Sequence, residues 1–282
     1  MVSRVTSNPV RPLSLQPTTT ARPAATPPAA TGSGAVAWGS AARPAAGAFT
    51  VSSAKVDGGP LLNDAILVPR GFTARQEHIS HKMTGNAGRA TASFDHQDVK
   101  ATILTPDDRR LSLRDGVSEV SNTINDWHAA VKDERAAPSG FAQLEWYTSY
   151  DVKGAGTAGR MVSVSETTSE YTGGAHASGG TALRTIDTRT GQTAKLDQLM
   201  SQRQLASLVN DIARQLPALG AEFAYPDRAS LHEAVNSHFA LTTDAKGKVQ
   251  IHVAWESSTR VGAGKMAHFT VDAPEDFRAA IQ

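Results

Sequence analysis

Glu170-Tyr171-Thr172-Gly173-Gly174-Ala175-His176, followed after ten residues by Asp187-Thr188-Arg189-Thr190-Gly191 and then Leu196-Asp197-Gln198-Leu199, is the stretch around which the chain is organised. Paired glycines beside an aromatic ring and a histidine let the backbone enter conformations closed to other residues, so a constrained loop is expected there. Met161-Val162-Ser163-Val164-Ser165 reads as a strand entering that loop, and Thr181 to Asp187 as a strand leaving it, with Arg189-Thr190-Gly191-Gln192 as the next turn. Two strands joined by so short a connection must run antiparallel.

Outward from this hairpin, residues 141–152 read as an aromatic-rich strand and Gly154-Ala155-Gly156 as its turn. Upstream, Ala92, Phe94, Val99, Ala101 and Ile103 alternate about a polar bend at Asp95-His96-Gln97-Asp98, which suggests a hairpin. Val117, Val120, Ile124, Trp127 and Val131 fall at intervals of three, four, three and four, the stripe of an amphipathic helix with Trp127 as a core anchor. That region ends at Pro138-Ser139-Gly140. Leu205, Leu208, Val209, Ile212 and Leu216 form a second stripe, opened by a Ser201/Gln204 capping box and stopped by Pro217 and Gly220. A shorter helix from Asp227 to Phe239 follows Pro226. Strands at Lys248–Trp255 and Met266–Val271 flank a turn at Gly262-Ala263-Gly264, and a closing helical turn carries Phe277 and Ile281. Without regular strand-helix alternation, this mixture predicts an α+β fold, an antiparallel sheet with two or three packed helices.

Residues 1–60 are dominated by Pro, Ala, Thr, Ser and Gly, a composition that buries too little to offset its ordering entropy, and predict a disordered tail or linker. Residues 61–89 form a poorly defined lead-in, with Thr73–His81 as a short helix, and residues 90–282 the folded domain, in an upstream half (90–160) and a half carrying the quoted motif (161–282). Lys plus Arg 28 against Asp plus Glu 27 leaves a net charge of +1, which supplies no global field for nucleic acid. Cysteine is absent, which removes disulfides, thiolate metal sites and cysteine nucleophiles. No run of about eighteen apolar residues predicts a membrane span, and the N-terminus lacks the apolar stretch of about seven that a secretion signal requires.

The order of strand, Tyr171-Thr-Gly-Gly-Ala-His176, strand ending in Asp187, Thr190-Gly191 and Leu196-Asp197-Gln198-Leu199 before a helix resembles a domain of unknown function. That domain occurs in the extracellular part of RsiV-type anti-sigma factors, which serve as lysozyme receptors, and beside some peptidoglycan deacetylase domains. Ile124-Asn125 resembles a pair on the upstream helix of that family. The resemblance covers roughly residues 90 to 280 and implies an extracytoplasmic or secreted protein that binds a lysozyme-like protein or peptidoglycan; no cofactor is expected. With no membrane span visible, a transmembrane anti-sigma factor is not expected.

The motif supplies the candidate binding residues Tyr171, Gly173, Gly174 and His176, and the aromatics Trp146 and Trp255 add ring faces suited to sugars or protein partners. On strand alternation Trp146 and Tyr150 share a face opposite Tyr147. Because the reference pKa of histidine lies near neutrality, His176, oriented by Glu170 or Asp187, has the chemistry of a general base; its other role is to bond main chain and lock the loop. Glu166, Glu170, Asp187 and Glu256 are the carboxylates from which a glycan-cleaving pair would be drawn. No nucleophile elbow, zinc-protease helix or phosphate loop occurs. His78 and His81, with only His96 near in sequence, fall short of a metal site. The expectation is therefore a binding module. An envelope-directed hydrolase using His176 with Glu170 or Asp187 is the alternative, and an exported effector delivered by its tail is the third.

Overall fold

The structure, a computed structural model, describes residues 48–56, 59–60, 62–116, 118–138, 143–172, 177–223, 227–256 and 265–282. Outside them lie residues 1–47 of the expected tail, Val117, Ser139 and Gly140, Pro226, the 262–264 turn, and Gly173, Gly174 and His176 of the quoted motif.

Eleven strands and four α-helices build two sheets from the described residues. The larger, seven-stranded sheet contains β2 (Thr73–Ala87), β3 (Ala90–Leu104), β5 (Gln143–Ala158), β6 (Met161–Tyr171), β7 (Ser178–Asp187) and β8 (Gln192–Thr193) in that order, with β4 (Arg110–Arg114) paired to β3. The second has the order β1 (Thr50–Val56), β11 (Met266–Asp272), β10 (Val249–Glu256), β9 (Phe239–Thr243). The helices are α1 (Ser118–Ala136), α2 (Gln202–Leu219), α3 (Arg228–Ser237) and α4 (Glu275–Ala280). The α+β class expected from the sequence stands.

All pairings are antiparallel except β3 with β5, which run parallel from Thr91↔Gln143 to Gln97↔Ser149. That pair is made possible by the long crossover through β4 and α1. Trp127 and Val131 of α1 are buried with Phe94 and Ala92 of β3, and half-buried Trp146 of β5 packs against them. The Trp127 indole donates to Ser93 O at 3.2 Å and lies 3.4 Å from where a Cβ on Gly85 would stand.

Several local expectations are corrected. Thr73–His81 is not a helix but the first part of β2, hydrogen-bonded along its whole length to β3. The Asp95–Asp98 segment is not a bend but lies inside β3, because His96 and Asp98 find buried partners across the sheet. Gly154-Ala155-Gly156 is not a turn but a bulge within β5; the reversal comes later, at Gly159, which has φ +57°. Gly154 exchanges two 2.8 Å main-chain bonds with Asn63, and a Cβ there would stand 2.3 Å from Ala65 O, so only glycine admits this close approach. Thr50–Val56, inside the segment expected to be disordered, is strand β1 on β11. Its neighbour Phe49 meets Phe277 edge-on at 5.5 Å. Local composition hid this strand because its stabilising partners lie more than two hundred residues away.

Other expectations hold. Leu205, Leu208, Val209, Ile212 and Leu216 of α2 are all buried, against the four-stranded sheet. Gln204 N donates to Ser201 Oγ at 3.3 Å while Ser201 N donates to Gln204 Oε1 at 2.9 Å, closing the capping box. The sheets are pinned together by buried hydroxyls: Leu241 N of β9 donates to Ser163 Oγ of β6 at 2.7 Å, and Thr185 Oγ1 of β7 donates to Phe239 O at 2.8 Å.

Candidate functional site

The β6–β7 pair carries Glu170 and Tyr171, the first residues of the quoted motif, at the end of β6. Tyr171, half-buried, ends β6 opposite Tyr147, and exposed Glu170 stands opposite Thr148 on one side and Ser178 on the other. Asp187 pairs with Met161 at the other end of the same hairpin. Asp187 is nine positions along β7 from Ser178, which along a strand is about 30 Å. Glu170 and Asp187 therefore do not share a site. Asp187 is buried and engaged: Arg160 Nε donates to both its oxygens at 3.0 Å and Arg189 N donates to Oδ1 at 2.9 Å. Its role is to close the turn after β7. His176, Gly173 and Gly174 lie outside the described residues.

The aromatic candidates divide between core and cleft. Trp146 belongs to the cluster beneath α1. Trp255 is 8% exposed and packs in the core of the four-stranded sheet, yet it also lines an open cleft of about 610 Å³ between β7, α3 and the β10–β11 hairpin. Leu183, Met266 and Trp255 supply its apolar lining, and Glu166, Glu233 and Glu256 its carboxylates. Glu166 and Glu256, far apart in sequence, are thus brought to one cavity. Glu166 is ion-paired with Arg184, whose guanidinium also donates to Leu113 O at 2.5 Å. The Ser237 hydroxyl, 2.7 Å away, and then the Lys195 ammonium hold the Glu233 carboxyl below its ordinary value. Neither Arg184 nor Lys195 lines the cleft. Two of the three carboxylates, Glu166 and Glu233, are thus held by cations that stand outside the cleft lining.

Two polar clusters centred on histidine are assembled only by the tertiary structure. His96 is fully buried, with Nδ1 2.6 Å from Thr148 Oγ1 and Nε2 3.7 Å from Asp98 Oδ2. Arg114 donates to both Asp98 oxygens, at 2.5 and 2.8 Å, and lies 4.1 Å over the Tyr150 ring. The polar tetrapeptide at 95–98, taken for a bend, was the only local sign of it. Exposed His78 and His81 do not join His96 in a ligand set: among the described residues no group of three His, Asp or Glu is placed to hold a metal ion.

The second cluster is His252 of β10 beside His268 of β11, with Thr242 Oγ1 2.9 Å from His252 Nε2. Burial, and then the charge of His268, lower the pKa of His252 from 6.5 to about 4. The unfolded chain therefore takes up this proton before the native one does. Stability is expected to be unaffected by this group above pH 6.5 and to fall as pH drops from 6.5 towards 4, in total by about 3 kcal/mol. Urea midpoints at pH 7 and pH 4.5 for the wild type and His252→Gln check this: the variant should lose part of the acid sensitivity, and an unchanged pH dependence would contradict it.

Among the described residues no helix is long and apolar enough to cross a membrane. No protein-family model matches the chain, and no curated protein matches it. Among solved structures, the chain is similar to a member of the DUF3298 family from Bacteroides fragilis NCTC 9343, with 12% identity, a TM-score of 0.40, and coverage of 74% of this chain and 94% of that one. It is also similar to a DUF3298 family protein from Pseudomonas aeruginosa PAO1, with 14% identity, a TM-score of 0.37 and the same coverage.

Proposed function

We propose that this protein is a non-catalytic binding module of the cell envelope, acting outside the cytoplasm, and that the cleft between β7, α3 and the β10–β11 hairpin receives a lysozyme-like protein. The observation that carries the reading is the pairing of an apolar lining, Leu183, Trp255 and Met266, with carboxylates from three separate elements, Glu166, Glu233 and Glu256. Such a surface suits a basic protein, because lysine and arginine place a charged head against carboxylate while their stems cover apolar area. The resemblance of the 170–176 motif to lysozyme receptors supports the same partner class.

The test combines direct binding with wall turbidity. Chicken-type lysozyme is expected to bind the immobilised protein and to be inhibited by it on a wall suspension. The double variant Glu233→Gln/Glu256→Gln should weaken binding by about tenfold, with a shallower salt dependence. Binding to purified walls but not to lysozyme would replace the partner with the glycan. Wall clearing by the protein alone would instead support a hydrolase, and His176→Ala, Glu166→Gln and Glu256→Gln would then be assayed for turnover.

A further inference from the structure

The cleft is lined by four consecutive residues of one strand, Gly180, Thr181, Ala182 and Leu183. Side chains of successive strand residues point to opposite faces, so a cavity touching four in a row lies off the strand's edge, against its main chain. That edge is open. β7 is bonded to β6 along one side from Ser178 to Asp187, but on the other side β8 pairs only with Ile186 and Asp187, and Ala194 N reaches Thr185 O at 2.8 Å. From Ser178 to Arg184 the outer edge is paired with no strand among the described residues, although Leu183 packs with Ala240 of β9 and Ala254 of β10. Its only charge is Arg184 at the inner end, paired with Glu166; Ser178–Leu183 contains no charge and no proline, the devices that keep an edge strand from pairing with another chain.

We infer that the partner binds by strand addition: an extended segment of a partner protein, apolar residues alternating with lysine or arginine, pairs with the outer edge of β7 at Ser178–Leu183. The inference rests on the reading of the cleft as a protein-binding site and specifies its mode. Main-chain bonds to the edge supply affinity, and the two faces of the added strand supply selectivity. One face meets Leu183, Trp255 and Met266. The other meets Glu166 of β6, reached past the small residues Gly180 and Ala182; Ala182 stands opposite Glu166 in the ladder. A Cβ on Gly180 would meet nothing within 4 Å, so this position is open space beside the edge. Gly179, by contrast, is fixed as glycine, since a Cβ would stand 2.4 Å from Thr168 O. The six positions, exposed from Ser178 to Gly180, half-buried at Thr181 and Ala182 and buried at Leu183, span about 20 Å, the length of an ordinary strand partner.

The experiment uses a pooled set of ten-residue peptides with Val, Ile or Thr at alternate positions and Lys or Arg between them, binding measured by fluorescence anisotropy with the full chain. The tightest binder is then remade with N-methyl groups on every second amide, in either phase. Strand addition predicts that one phase abolishes binding while the other is tolerated, that amide exchange slows within Gly180–Leu183 in the complex, and that Gly180→Arg weakens binding by at least about tenfold with an unchanged melting temperature. The same exchange measurement is made with chicken-type lysozyme. If no peptide of the pool binds, or both methylation phases bind alike, strand addition is overturned, whatever lysozyme does. Lysozyme binding without protection of β7 leaves the cleft reading standing and removes this mode. Phase-dependent peptide binding without lysozyme binding keeps the mode and removes lysozyme as the partner.

Discussion

Replacing Asp98 with Ala is expected to lower unfolding free energy by about 3–5 kcal/mol, the cost of breaking a buried ion pair by deleting one partner. The Asp98 side chain has no solvent exposure and Arg114 little, at 17%, so the guanidinium left behind keeps only a small share of its hydration. It would also lose both of its bonds to the carboxylate, while Val99 N loses the acceptor it holds at 2.7 Å. Urea denaturation of Asp98→Ala and of Asp98→Leu/Arg114→Met separates two effects. The double replacement removes both charges and should recover most of the loss, since apolar groups of similar volume often substitute for a buried pair without penalty. A single variant within about 1 kcal/mol of wild type would show that water reaches Arg114 after all.

Trp127→Ala should cost a similar amount, about 3–5 kcal/mol, for a different reason. The ring is 3% exposed, lies 6.0 Å from Phe94, and is a principal anchor of α1 on the seven-stranded sheet, together with Val131 and Ile124. Removing it opens a cavity between helix and sheet over Gly85, which offers no side chain to fill the space. The expected signature is a lower urea midpoint with faster hydrogen exchange throughout α1, while β9, β10 and β11 keep their protection until global unfolding. Uniform loss of protection in both sheets would show that α1 is not a separable layer.

The two residues differ in how visible they are before folding. Trp127 is legible because a helix repeats its buried positions within a few residues: the spacing of Ile124, Trp127 and Val131 already defines a face. The same holds for the apolar stripe and capping box of α2, and for the strands on either side of the 170–176 motif. Each is written in residues less than two turns or one hairpin apart. Asp98 is different. Its partners, Arg114 and, through His96, Thr148, lie 16 and 52 residues from their bonding neighbours. In the sequence the segment has only the polarity of a turn. Strand β1 and the parallel pairing of β3 with β5 were hidden for the same reason, because a strand's periodicity does not name its neighbour.

The site divides along the same line. By itself the sequence determined the helix faces, the caps, the hairpin bearing the motif, and the residue types available for recognition, including Glu166, Glu256 and Trp255. Only the tertiary structure decided that Glu170 and Asp187 stand at opposite ends of that hairpin and that Glu166, Glu233 and Glu256 converge on one cleft beside a strand edge that no described strand pairs. Convergence depends on how two sheets pack, which buried hydroxyls such as Ser163 and Thr185 pin across the interface. Short-range chemistry sets the shape of each element, and long-range burial and hydrogen bonding choose which elements meet.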